Sequence, residues 1–160
     1  MMKGIYLLLG SNREDRMQFL ESAREHINSM AGKVVRRSAV YCTAPWGYTD
    51  QPDFYNQVLE VNSELSPVDL LVALEKIMSM LGRVRKIRWG ERVIDIDILY
   101  YGDLIIDKPD LKIPHPRIPD RRFTLVPLCE LAPELIHPVL MCDQQTLLDN
   151  CEDELEVRKL

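Results

Sequence analysis

The sequence predicts an α+β fold in which helices pack on an antiparallel sheet, in the order strand, helix, strand, strand, helix, strand. Three observations predict it. Stretches of strand length that are apolar or alternating occur at 3–9, 33–41, 54–62 and 93–101. Two segments with apolar residues at helical spacing lie between them and are closed by Gly32 and Gly82. No repeat, low-complexity tract or linker interrupts the 160 residues, so 1–160 is read as a single domain. The order is that of a ferredoxin-like βαββαβ core, whose two crossovers lay both helices on one face of the sheet.

The first run, KGIYLLL, reads as a buried strand ending at Gly10. Ser11 and Asn12 are expected to cap a helix whose apolar face carries Met17, Leu20, Ile27 and Met30. Lys33–Tyr41, rich in Val and Ala, is expected to be one strand, and 42–53, with two Pro, a Gly and two Asp, a loop. Phe54–Asn62 alternates as a strand. Ser66-Pro67-Val68-Asp69 is a strong helix start, with Ser66 as cap, Pro67 at the first helical position and Asp69 in the positive first turn. Leu70, Leu71, Leu74, Ile77, Met78 and Leu81 form that helix's apolar face. A basic loop at 83–92 leads to the strand Val93–Tyr101, and Gly102-Asp103 turns the chain into the apolar Leu104–Ile106. Most of the prolines lie beyond residue 106; Pro127 in Phe123–Leu131 is expected to delay or bend a helix there. This last part is read as an addition that covers the other face, leaving helices on both faces of the sheet.

Twenty Lys and Arg against 25 Asp and Glu give a net charge of −5, which argues against a nucleic-acid coat or an anionic-membrane binder. No apolar run is long enough to span a bilayer, and the first residues lack a signal-peptide pattern, so a cytoplasmic protein is expected. Cys42, Cys129, Cys142 and Cys151 are too scattered for a zinc site and read as small apolar residues.

Three clusters carry chemistry. In Val93-Ile94-Asp95-Ile96-Asp97-Ile98, residues two apart share a strand face at a spacing of about 7 Å, so Asp95 and Asp97 project together while the isoleucines face the core. Two such carboxylates suit Mg²⁺, and one or two ions bridged to phosphates would neutralise a triphosphate; two solvated acids are the competing reading. In the loop Gly82–Arg92, five of the twenty cations fall within eleven residues, Arg outnumbering Lys four to one, as suits bidentate grip on phosphate. Glycines flank Arg83–Trp89, so a nucleotide–metal site with a mobile lid competes with a merely solvated basic loop. Finally, Trp46, Phe54 and Phe123 are candidates for a slot around a flat ring, or for core. Asn56 and Thr43 offer the polar contacts of an aza-heterocycle edge. His115, between Pro114 and Pro116 and near Arg117, Arg121 and Arg122, is a phosphate donor or a satisfied turn histidine; His26 and His137 read as structural or exposed. No P-loop motif occurs.

Gly10-Ser11-Asn12, YCTAPWGYTDQPDFYNQV (41–58), GRVRKIRWGERVIDIDILYYGD (82–103) and IPHPRIPDRRFTLVPLCELAPEL (113–135) closely resemble the 6-hydroxymethyl-7,8-dihydropterin pyrophosphokinases of folate biosynthesis. The resemblance covers residues 3–138 and implies a soluble enzyme that transfers the diphosphoryl group of MgATP to the dihydropterin and releases AMP. It implies that Asp95 and Asp97 hold two Mg²⁺ and, with Arg83 and Arg92, are catalytic. It implies a pterin pocket of Thr43, Pro45, Trp46, Phe54, Asn56 and Phe123. Arg85, Arg88, Trp89 and Arg92 of the loop, with Ile98, Lys112, His115 and Arg121, match the ATP side. Glu91 stands where the family usually has proline, and Met78 where it has glutamate; Glu75, one turn earlier on the same face, is the candidate replacement on the ATP side.

The expected ligands are therefore ATP and the hydroxymethyl dihydropterin, with no nucleic acid or membrane, and the chain is taken to act as a monomer. Two other readings compete. A nucleotide-sugar transferase shares the paired acids but usually needs a larger nucleotide domain. A non-catalytic ferredoxin-like module binding a ligand or RNA would place its aromatics on central strands, which this sequence does not.

Overall fold

The computed structural model describes residues 1–45, 50–82 and 93–160. Its main sheet is antiparallel and runs β5-β1-β4-β3-β8, with β2 also paired to β4. The strands are β1 (Met2–Ser11), β2 (Lys33–Arg37), β3 (Tyr41–Thr43), β4 (Phe54–Ser63), β5 (Asp95–Tyr101) and β8 (Val157–Lys159). β6 (Ile106–Lys108) and β7 (Leu111–Ile113) make a separate hairpin. The helices are α1 (Arg16–Met30), α2 (Pro67–Met80), α3 (Arg122–Leu131) and α4 (Gln144–Asp149).

Strand alternation divides the core into two. Ile5, Leu7 and Leu9 of β1 join Leu59, Val61, Ile94, Ile96 and Ile98 beneath α1 and α2. Tyr6 and Leu8 point the other way, to Val58, Leu99 and Tyr100 and the apolar side chains of α3 and α4. The central strand is thus buried on both faces, which explains its unbroken apolar run. α2 is built as its sequence predicts: the Ser66 side chain accepts the Asp69 N–H at 3.2 Å, and Leu70, Leu74, Ile77 and Met78 are buried.

Four expectations are corrected. Ser11 and Asn12 cap no helix: Ser11 ends β1, both are fully buried, and α1 begins only at Arg16, leaving Met17 exposed. Asn12 Nδ2 instead donates to Gln51 Oε1 at 2.7 Å and to the Pro52 carbonyl at 3.2 Å, anchoring the chain just before β4. Lys33–Tyr41 is two strands. Between the pairs Arg37–Leu59 and Tyr41–Asn56 one strand carries an extra residue. There the Ser38 hydroxyl takes the Val58 N–H at 3.0 Å, replacing a ladder bond. The α3 helix starts at Arg122 and runs through Pro127, which removes one intrahelical donor without ending the helix. Beyond Leu104 the chain adds the β6–β7 hairpin to the single apolar segment expected.

Candidate active site

β5 is an edge strand of this sheet, and its alternation places Ile94, Ile96 and Ile98 in the core while Asp95 and Asp97 stay half-buried on the opposite face. Register carries that face across the sheet. Asp95 lies opposite Gly10, Gly10 opposite Asn56, and Asn56 opposite Tyr41. Two residue pairs along, and so on the same face, Phe54 faces Thr43. A carboxylate pair and an amide–hydroxyl pair therefore share one end of one sheet face, separated by a glycine.

Asn56 and Thr43 are both buried, and the Asn56 amide donates to the Thr43 hydroxyl oxygen at 2.7 Å. Gly10 leaves room for the amide: a Cβ there would stand 2.7 Å from Asn56 Oδ1 and 3.8 Å from the Phe54 ring. Pro45 is buried just after β3, and Phe54 is half-buried at the start of β4. Phe123, in the first turn of α3, packs on the core of this same face, with the Arg121 guanidinium 5.5 Å from its ring centre. Burial pulls the Arg121 pKa down while the carboxylates of Asp97 and, more weakly, Asp95 act the other way. The guanidinium thus feels both acids, and α3 brings a cation and an aromatic ring to the two sheet clusters.

A cleft of about 240 Å³ opens beside Asp97, lined by Leu71, Ile98, Lys112 and His115 among others. His115 is fixed by its backbone N–H to the Leu99 carbonyl at 2.9 Å, and its Nδ1 accepts the Arg117 N–H at 3.1 Å. Burial first, then the positive charges of Arg121 and Arg117, push its pKa down to about 4. The ring is neutral at pH 7, and the engaged Nδ1 leaves the proton on Nε2 as a donor. Lys112 pairs with Asp107 across the β6–β7 hairpin.

The structure thus brings Thr43, Phe54, Asn56, Phe123, Arg121, Asp95 and Asp97 to one face, with Pro45 buried two residues beyond Thr43, and Ile98, Lys112 and His115 to the adjoining cleft. Glu75 is not among the cleft's lining residues; it is exposed on α2, one turn beyond Leu71, which is. Met78 is buried, and its sulfur accepts the Ile96 N–H at 3.3 Å. Trp46, Arg83, Arg85, Arg88, Trp89 and Arg92 lie outside the described residues. Sequence reading missed Gly10 as the spacer opposite Asn56, although a glycine closing an apolar strand was a usable signal. It also missed Asn12 as the tether of the segment entering β4, for which no local signal exists.

Comparison with known proteins gives a consistent picture. The model of the family described as 7,8-dihydro-6-hydroxymethylpterin-pyrophosphokinase (HPPK) matches residues 6–133. A 2-amino-4-hydroxy-6-hydroxymethyldihydropteridine pyrophosphokinase of Methylorubrum extorquens is 47% identical over 132 residues, 82% of this chain and 84% of that protein. Its counterpart in Haemophilus influenzae is 42% identical, over 83% of this chain and 84% of that protein. The folic acid synthesis protein fol1 of Pneumocystis carinii is 42% identical over 86% of this chain, but the chain spans only 18% of its length. Among solved structures, the HPPK-DHPS A437G variant of Plasmodium falciparum with SDX-DHP superimposes with a TM-score of 0.78 at 18% identity, covering 93% of this chain and 45% of that one. That likeness concerns the fold.

Proposed function

The chain belongs to the 7,8-dihydro-6-hydroxymethylpterin-pyrophosphokinase family and is an ATP-dependent pyrophosphokinase of folate biosynthesis; from that premise we propose which of its residues carry the transfer. The β,γ-diphosphoryl group of ATP moves to the hydroxymethyl oxygen of 6-hydroxymethyl-7,8-dihydropterin. That oxygen attacks the β-phosphorus in line and loses its proton, the bond to the α-phosphate oxygen breaks, and AMP leaves. Such a reaction asks mostly for positioning and charge neutralisation.

The observation that carries the assignment is the row Asp95–Gly10–Asn56 across the sheet. It sets an acid pair for the phosphates beside a polar pair for a heterocycle edge. Thr43, Pro45, Phe54, Asn56 and Phe123 take the pterin, Asn56 and Thr43 holding its polar edge and the two phenyl rings its faces. Trp46 joins them on the strength of the family resemblance. Ile98 and Lys112 lie on the nucleoside side of the cleft. Neutral His115 donates Nε2–H to a phosphate oxygen, and Arg121 adds charge where the two substrates meet. Arg83, Arg85, Arg88, Trp89 and Arg92 are assigned to the phosphates, and Glu75 to ATP, by the resemblance alone.

Asp95 and Asp97 fit Mg²⁺, which we take as two ions. They are hard oxygen donors on one strand face, and no group of three or more metal-ligating side chains occurs among the described residues. That donor set suits an ion whose shell is completed by phosphate oxygens and water. Magnesium held there would supply charge neutralisation of the triphosphate. The finer reading of the fold, a ferredoxin-like core, is supported by the order β5-β1-β4 with β2 and β3 both following β4. We place the enzyme in the cytoplasm, a reading supported by its four unpaired cysteines, and take residues 1–160 as one domain acting as a monomer.

The test is AMP release from MgATP by the purified protein, with and without the hydroxymethyl dihydropterin. Release that requires the pterin supports the reading. A non-catalytic ferredoxin-like binding module would release none.

A further inference from the structure

The chain after α4 lies beyond residue 133, where the family match ends, yet it is bonded to both walls of the pterin-side pocket. At one wall Asp153 Oδ2 accepts the backbone N–H of Arg122, the first residue of α3, at 3.0 Å. Arg121, which precedes the helix, makes no capping bond with its own side chain, so the acceptor for this free helix N–H comes from 31 residues downstream. The carboxylate is itself oriented, because Oδ1 accepts the Leu155 N–H at 3.1 Å.

At the other wall, β8 pairs antiparallel with β3, Val157 opposite Thr43 and Arg158 opposite Cys42, and Leu160 N–H donates to the Val40 carbonyl at 3.0 Å. Glu130, near the far end of α3, accepts from the Tyr41 hydroxyl at 2.6 Å and the Ala39 N–H at 3.0 Å. The helix that carries Phe123 is therefore joined at both ends to the strand that carries Thr43. One of those two joints is the C-terminal segment.

We propose that residues 151–160 are a positioning element for pterin recognition and that Asp153 is its positioning residue. By tying the first turn of α3 to β3, the segment fixes the spacing between Phe123 and the Asn56–Thr43 pair. The proposal rests on the assignment of those three residues to the pterin pocket. None of the bonds just named involves Asp95, Asp97 or the cleft beside Ile98, and Arg121 is the one phosphate-side residue that adjoins them, so loosening the segment acts chiefly on the pterin side.

The test is steady-state kinetics on the full-length enzyme, with thermal unfolding in parallel. Asp153→Ala is expected to raise KM for the hydroxymethyl dihydropterin roughly three- to tenfold, the effect of losing one helix cap, while kcat and KM for MgATP stay within about twofold. Asp153→Asn, which keeps an oxygen acceptor, restores most of the pterin KM. Because Leu160 is a hydrogen-bonded position opposite Val40, antiparallel alternation makes Arg158 the next one, and Arg158→Pro removes its ladder bond. That variant loosens the segment from the other wall and gives the same selective change if Asp153→Ala fails to fold. Equal increases in both KM values, or a lower Tm with both unchanged, would reduce the segment to general stabilisation and overturn the proposal. Should Asn56→Ala and Phe123→Ala also leave the pterin KM unaltered, the pocket assignment itself falls, a separate and recognisable failure.

Discussion

Gly10 and Asn56 are partners across β1 and β4, and a methyl group on residue 10 would stand 2.7 Å from Asn56 Oδ1. Nothing about the backbone demands glycine: Gly10 is not among the glycines with positive φ. The space alone does. Gly10→Ala is therefore expected to displace the Asn56 amide and break its bond to the buried Thr43 hydroxyl. A buried polar group left unpaired costs about 1–3 kcal/mol, which corresponds to roughly 5- to 150-fold in pterin affinity. Calorimetry should show that loss for the pterin and little change for an ATP analogue titrated alone. Unchanged pterin affinity would mean that the amide is not used in recognition.

Asp95→Ala and Asp97→Ala should each abolish turnover while leaving the fold intact. Both acids lie on the half-buried face of an edge strand, and removing one relieves the repulsion between two like charges while the other stays near Arg121. Losing a ligand for metal-bridged phosphates should add several kcal/mol to the barrier. Near-normal activity of either variant at saturating Mg²⁺, with circular dichroism unchanged, would sink the assignment.

How legible each feature was depends on how local its cause is. The Asp95–Asp97 pair could be read because strand period alone separates it from Ile94, Ile96 and Ile98, and Ser66 because its bond reaches three residues. Asn12 misled because a helix-capping residue type serves partners 39 and 40 residues away. The break at Ser38 depends on a hydroxyl that meets Val58, on a strand whose register is not local information. β8 is a three-residue strand of mixed polarity whose only rationale is the exposed edge of β3. Within the site, the resemblance divides pterin-side from ATP-side residues, but the row that sets Asp95, Gly10 and Asn56 side by side comes from sheet register, which no local pattern carries.

The low pKa of His115 gives stability a pH dependence with a definite sign. The folded protein holds this imidazole neutral down to about pH 4, whereas the unfolded chain takes up a proton near 6.5. Between those values the unfolded state binds more protons, so stability falls as pH falls, by up to about 1.4 kcal/mol per pH unit. His115→Asn retains an oxygen to accept the Arg117 N–H and does not titrate. Urea unfolding between pH 7 and pH 4.5 should show a shallower loss for the variant than for the wild type. Parallel curves would show that the imidazole is solvated enough to protonate normally.

Met78 raises a question that the fold answers in part. Its sulfur accepts the Ile96 N–H at 3.3 Å on the outer edge of β5, so the thioether satisfies a sheet-edge donor that no strand among the described residues reaches. It also fills the space between α2 and that strand. Met78→Leu keeps the volume but loses the acceptor, and should cost about 1 kcal/mol. Met78→Ala loses both and should cost about 2–5 kcal/mol. Because Ile96 and Ile98 line the cleft, the alanine variant should also raise KM for ATP. If Glu75, one turn beyond Leu71, serves the ATP side as the sequence resemblance implies, Glu75→Ala weakens ATP binding at unchanged stability. Stability separates the two roles: Met78→Ala lowers it, whereas Glu75→Ala acts on ATP binding alone. An ATP affinity untouched by Glu75→Ala would show that this enzyme works without that carboxylate.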